Sequence, residues 1–139
     1  MINTKISISE LNKSVQNTLI SYIGIEITNL TEQKVQGKMP VDARTHQPMG
    51  LLHGGASVSL AETLGSIGSS LCIDLEKQYP VGLEINANHV KSMSSGYVYG
   101  EATLIHFGKK THIWDIRITN EKEELVCVSR LTVAILDKK

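Results

Sequence analysis

Between His53 and Asp74 the chain carries one charged side chain, Glu62, in the run GGASVSLAETLGSIGSSLCI. About 20 residues of apolar character would suffice to cross a bilayer as a helix. Ser57, Ser59, Ser66, Ser69 and Ser70, with a carboxylate in mid-run, argue against lipid, where a central charge is expensive. The run is therefore read as a long helix that needs cover on nearly every side. Gly65 and Gly68 each weaken such a helix by about 1 kcal/mol relative to alanine, so small residues there need a packing reason.

The rest of the chain supplies the cover. Leu11, Val15 and Leu19 recur at helical spacing, and a short amphipathic helix is expected over Ser9 to Leu19, capped by Ser7 or Ser9. Gly24 to Leu30 and Lys34 to Met39 alternate apolar and polar positions around a polar turn, as a hairpin does, with Pro40 ending its second strand. Val41 to Leu52 reads as a loop, broken by Asp42, Arg44, Pro48 and Gly50. After the helix come four further strands, over Val81–Val90, Gly96–Phe107, Thr111–Ile118 and Glu124–Leu136, separated at hairpin distances and expected as a meander. The order predicts an α+β fold, an antiparallel sheet wrapped around a long central helix. Residues 1–139 are expected to form one domain.

Fourteen basic and 14 acidic side chains cancel, which excludes a broad electrostatic footprint for nucleic acid or an anionic membrane. An anionic ligand must then be held locally. Cys72 and Cys127 stand far apart in apolar runs and are read as reduced core residues, a structural disulfide being the alternative. Met1 to Ser9 is polar and unlike a secretory signal, so a cytoplasmic location is expected.

Burying a lone carboxylate is costly, which makes Glu62 a candidate site residue. The alternative is a solvated flank, or an interface carboxylate held by a basic partner. Upstream, Gly50-Leu51-Leu52-His53-Gly54-Gly55-Ala56 leads into the helix. A helix start there points free N–H groups outward, and glycine lets a ligand approach closely. Such donors, with the helix dipole, polarise a carbonyl or hold an oxyanion; the other reading is a plain loop-to-helix junction. Glu62 lies nine residues beyond His53, about 13 Å along the axis and near the opposite face at ~100° per residue. Both groups reach one carbonyl most simply if they come from two chains. Ser66, four residues after Glu62, shares its face.

The run from Gly50 through Glu62 to Ser66, followed by Val81-Gly-Leu-Glu-Ile-Asn-Ala-Asn-His89, resembles the hotdog-fold thioesterases of the PaaI-like group. Its nearest branches are the 1,4-dihydroxy-2-naphthoyl-CoA thioesterases of menaquinone biosynthesis and the proofreading thioesterases of enterobactin synthesis. The likeness extends from about Tyr22 to Ile135. It implies a hotdog fold and hydrolysis of an acyl-CoA thioester, with an aromatic acyl group favoured. By resemblance Glu62 is the catalytic carboxylate, nucleophile or general base; Gly54 polarises the thioester carbonyl; Gln47 and His53 orient it and the water; Ser66 stands beside the carboxylate. The site is implied to be shared across a homodimer, with a dimer of dimers as the larger assembly.

The resemblance also implies that the CoA arm lies along Gly82, along His89, Val90, Lys91 and Ser92, and along the turn of His106, Lys109, Lys110 and Thr111. The lysines would supply cations to phosphates, ordinary surface solubility being the alternative. His112, Asn86 and Asn88 are read as packing or interface groups. No cofactor is expected, since CoA enters with the substrate, and no His, Cys or Asp cluster has metal-ligand spacing. Two rivals remain: an acyl-CoA hydratase or dehydratase using His53 and Glu62 as acid and base, and an acyl-CoA binding module without chemistry.

Overall fold

The structure, a computed structural model, describes residues 1–139. The expected lead-in helix is divided. Helix α1 runs over Ile8–Ser14 from a capping box in which the Ser7 hydroxyl accepts from the Glu10 N–H while Glu10 bonds back to the Ser7 N–H. Asn17 then adopts a left-handed φ of 61°, and a short α2 follows over Leu19–Tyr22. Strand β1 follows over Glu26–Leu30, and the Asn12 amide bonds both the N–H and the C=O of its Ile27, which ties α1 to that strand.

Strand β1 pairs with β2, Lys34–Pro40, as the hairpin expected from the alternation. Helix α3 spans Gly54–Ser70, and β3 to β6 cover Gln78–His89, Tyr97–Phe107, Thr111–Thr119 and Leu125–Asp137. All pairings are antiparallel in the order β1-β2-β4-β5-β6-β3. The expected four-strand meander therefore holds only for β4, β5 and β6. Strand β3 instead pairs with β6 and forms one edge of the sheet. Alternation reports which side chains share a face, and it carries nothing about which strand lies alongside.

Helix α3 packs against β2, β3, β4, β5 and β6. Leu60, Ala61 and Leu64 are buried on it, facing Val35, Val98, Trp114, Leu131 and Val133 from the sheet. This is the hotdog arrangement. The glycines now have their reason. A Cβ at Gly65 would lie 2.6 Å from Leu131 Cδ2, and one at Gly68 would lie 2.7 Å from Trp114 Cζ2. Conversely, Gly37 and Gly100 on the sheet leave room for Leu64, whose methyl carbons stand 2.8 and 2.7 Å from where their Cβ atoms would be. Helix and sheet thus approach through matched notches, at the expense of helix propensity.

Ser69 completes this contact. Its oxygen accepts from Trp114 Nε1 at 2.9 Å and lies 3.1 Å from His112 Nδ1. Indole nitrogen only donates, and the serine oxygen keeps a lone pair and a proton for the His112 contact. Burial pushes the His112 pKa below its ordinary value. Cys72 and Cys127 carry free thiols, whose pKa values burial raises. No helix is long and apolar enough to cross a membrane. The cover on α3 is also incomplete: Val58, Glu62, Thr63 and Ser66 are only half-buried.

Candidate active site

The loop before α3 is held from several sides. The Thr45 hydroxyl donates to Pro40 O, the His53 N–H to Thr45 O, and the Leu52 N–H to Met93 O. Gly50, at φ 74°, turns the chain inside this loop, where the Gly50 N–H bonds Gln47 O. Gln47 Oε1 accepts from the Met49 N–H, which leaves its Nε2 as the free donor.

His53 is the N-cap of α3, its Nδ1 accepting from the Gly55 N–H at 2.8 Å. The N–H groups of Ala56 and Ser57 both bond His53 O, at 2.9 and 3.3 Å. Of the first four helical N–H groups, only that of Gly54 is left without a partner. It is the donor the sequence singles out, now isolated by the cap. The His53 ring itself lines a neighbouring depression with Arg44, His46 and Ser59. The same residue thus separates its backbone from its imidazole.

Gly54 opens on a pocket of about 380 Å³, shared with Gln47, Ser57, His89, Lys91 and Ser92. A Cβ at Gly54 would stand 2.9 Å from His89 Nε2, so the imidazole occupies the space that any other residue would fill. His89 is the last residue of β3. This places two of the expected site segments in one pocket, the helix start and the end of β3.

Glu62 is elsewhere. Its carboxylate is half-buried and makes no hydrogen bond or ion pair within the chain. Its Oε1 lies 2.5 Å from the position of a Cβ on Gly82, near the other end of β3. Ser66 sits one turn further along α3, also half-buried. The two halves of the expected site are therefore about 12 Å apart along α3 at ~1.5 Å per residue.

The expected CoA segments divide in the same way. Thr111 and Val81 both pair with Ala134 of β6, whereas His89 pairs with Cys127. The turn His106–Thr111 thus lies across β6 from the start of β3, at the same end of the sheet, and Val90–Ser92 follow the end of β3, about 24 Å away along β6 at ~3.4 Å per residue. Lys91 Nζ is 2.6 Å from Glu124, and Lys110 Nζ is 3.0 Å from Asp137. The Lys91 ammonium holds the Glu124 carboxyl below its usual range. Exposed pairs of this kind are screened by solvent and weak enough for a phosphate to displace. Lys109 makes no ion pair, and His106 packs on Gly108.

Sequence reading missed Ser57, whose side chain is buried in the pocket wall, and the apolar lining of Leu51, Leu52 and Val126. The spacing of Ser57, three residues after Gly54, was the available signal for the first. Nothing local could have brought Val126 there.

Comparison with known proteins bears on this arrangement. Residues 49–127 match the family model described as Thioesterase superfamily. The 1,4-dihydroxy-2-naphthoyl-CoA hydrolase of Escherichia coli is 46% identical over 132 residues, covering 95% of this chain and 96% of that protein. The proofreading thioesterase EntH of Klebsiella pneumoniae is likewise 46% identical over 132 residues, with the same coverage. A mutant thioesterase from Pseudomonas aeruginosa superposes with a TM-score of 0.96 at 44% identity, over 99% of both chains.

Proposed function

Because the chain belongs to the thioesterase superfamily, and is a thioester hydrolase, we propose that two copies form a shared site that hydrolyses an aromatic acyl-CoA. One observation carries this reading: Gly54 lies against His89 and Glu62 against Gly82, on opposite halves of an unpaired edge strand. If β3 pairs antiparallel with β3 of a second copy about an axis near Ile85 and Asn86, Gly82 of each comes opposite His89 of the other. The partner subunit's Glu62 then faces Gly54, and the turn His106–Thr111 of one copy meets Lys91 and Ser92 of the other. Two half-sites become two whole ones.

The edge itself supports the pairing. Leu83 is 65% exposed and Val81 39%, on a strand of 12 residues. A long apolar edge left open is an aggregation hazard, and strand pairing removes it. The exposed Tyr97 and Tyr99 of β4 offer a surface for a dimer of dimers.

In this site the thioester carbonyl accepts from the Gly54 N–H at the positive end of α3, and Gln47 Nε2 donates to the attacking water and orients it. His53 caps the helix so that the Gly54 donor stays free. The partner subunit's Glu62 attacks the carbonyl carbon, or takes a proton from a water that attacks it. The C–S bond breaks, the CoA thiolate leaves and is protonated by solvent, and the acid is released, directly or after hydrolysis of the acyl-enzyme anhydride. Lys91, Lys109 and Lys110 exchange solvent or carboxylates for CoA phosphates. CoA enters as part of the substrate, with no further cofactor. The aromatic preference, with 1,4-dihydroxy-2-naphthoyl-CoA as first candidate, rests on the E. coli relative's name.

Glu62→Gln should abolish thiol release while CoA binding, followed by calorimetry, persists; wild-type turnover in this variant would sink the proposal. A panel of aromatic and aliphatic acyl-CoAs and acyl-carrier-protein thioesters reads the acyl preference. Loss of an enoyl double bond without free thiol would point to hydration instead.

A further inference from the structure

Ser57 is 1% exposed, and its Oγ is the one buried side-chain polar atom of the chain without a hydrogen-bond partner. Buried hydroxyls are ordinarily bonded, because desolvating one without compensation is unfavourable. Other serines of α3 show the usual outlets. Ser59 donates to Gly55 O at 2.9 Å and Ser70 to Ser66 O at 3.0 Å, each four residues back, while Ser69 serves His112 and Trp114. For Ser57 the equivalent acceptor is His53 O, which already receives the N–H groups of Ala56 and Ser57. Both lone pairs of that carbonyl are taken. The capping arrangement that frees the Gly54 N–H therefore also orphans the Ser57 hydroxyl.

Ser57 is part of the wall of the pocket that Gly54, Gln47 and His89 also line. Ser57 follows Gly54 by three residues, which puts both on one side of the helix about 4.5 Å apart along the axis. Helical side chains lean toward the N-terminus, so Oγ is carried back toward the Gly54 N–H. Leu52 and Val126 wall this part of the pocket, and in apolar surroundings a hydrogen bond to developing charge is strengthened.

We propose that the Ser57 hydroxyl donates to the same thioester oxygen as the Gly54 N–H, which makes Ser57 a catalytic residue of the oxyanion site. The inference rests on the thioesterase site proposed above. A carbonyl oxygen accepts two bonds, and it gains negative charge as the tetrahedral intermediate forms. Both donors then tighten on the state that limits the rate.

The test is Ser57→Ala. Removing an unpartnered hydroxyl should leave the thermal midpoint unchanged or raise it, while kcat for benzoyl-CoA falls about 10²-fold, the usual effect of losing one oxyanion donor. Ser70→Ala, whose hydroxyl serves its own helix, should keep the wild-type rate. The direct readout is the infrared carbonyl stretch of benzoyl-CoA bound to Glu62→Gln protein, which should move to higher frequency when Ser57→Ala is added. Wild-type kcat with an unmoved carbonyl frequency overturns the proposal, as does a fall in the midpoint with the frequency unmoved, the mark of a structural hydroxyl. Failure of the underlying site is distinct from these: Glu62→Gln then retains turnover, whatever Ser57 does.

Discussion

Gly82→Ala tests whether the carboxylate of Glu62 reacts from where it is seen. The added Cβ would lie 2.5 Å from Oε1, and ordinary contact begins at 3.4 Å, so the carboxylate must retreat by about 0.9 Å. The next nearest atoms, Glu62 Cδ at 3.6 Å and Leu131 Cδ1 at 4.0 Å, are already at comfortable distances. The displaced atom is the far end of a flexible side chain, and rotation about its own bonds absorbs the shift at little energetic expense. Gly82 is not among the glycines with positive φ, and alanine there restricts the unfolded chain by about 0.4–1 kcal/mol. Stability should therefore hold or rise by a few degrees in midpoint. Activity should not hold, since a misplacement of about 1 Å in a reacting group costs on the order of 10²-fold. Thiol release, followed with a chromogenic disulfide over a range of aromatic acyl-CoA concentrations, should show the loss chiefly in kcat. Wild-type kcat in a fully folded Gly82→Ala protein would refute the reasoning, because the observed carboxylate position could then not be the reactive one.

At Gly68 the neighbour is rigid. A Cβ there meets Trp114 Cζ2 at 2.7 Å and Cζ3 at 3.0 Å, so Gly68→Ala should destabilise by about 1–3 kcal/mol through overpacking, visible as a lower urea midpoint. Replacing Val81 and Leu83 together by lysine should halve the mass seen by sedimentation and reduce thiol release by at least about 10²-fold, while circular dichroism is retained; an active monomer would exclude the shared site. His112 sets a pH dependence. Its pKa is depressed by burial, so the unfolded chain binds the additional proton below about pH 6.5. This contribution is complete above that pH and is lost as pH falls through the folded value. The thermal midpoint should thus drop between pH 7 and pH 5, and His112→Gln should flatten that slope; an unchanged slope would assign it to other groups.

Much of the fold was legible because it is written in local periods. Alternation marked the strands, and the apolar run with one charge marked α3 and Glu62 together. Spacing alone also showed that His53 and Glu62 could not meet on one helix. Legibility failed where a local pattern has more than one continuation. Leu11, Val15 and Leu19 are compatible with one helix, and only the structure shows the left-handed turn at Asn17 that breaks it, with Asn12 bonding Ile27 across 15 residues to hold α1 on β1. Lys91 and Lys110 look like free cations until Glu124 and Asp137 arrive from β6 and the turn before it.

What the sequence by itself determined is the inventory: a helix of small residues, a carboxylate with no local partner, glycines at a helix start, and strands to cover them. Tertiary structure alone decided the neighbours. It placed β3 beside β6 at an open edge, His89 in the space of Gly54, and Glu62 over Gly82, and so divided the site between the two ends of one strand. It also spent both lone pairs of His53 O and left Ser57 without an acceptor. The physical reason is range. Helix and strand periods arise from bonds between residues a few positions apart, whereas strand order and the filling of a glycine notch depend on side chains that only folding brings together.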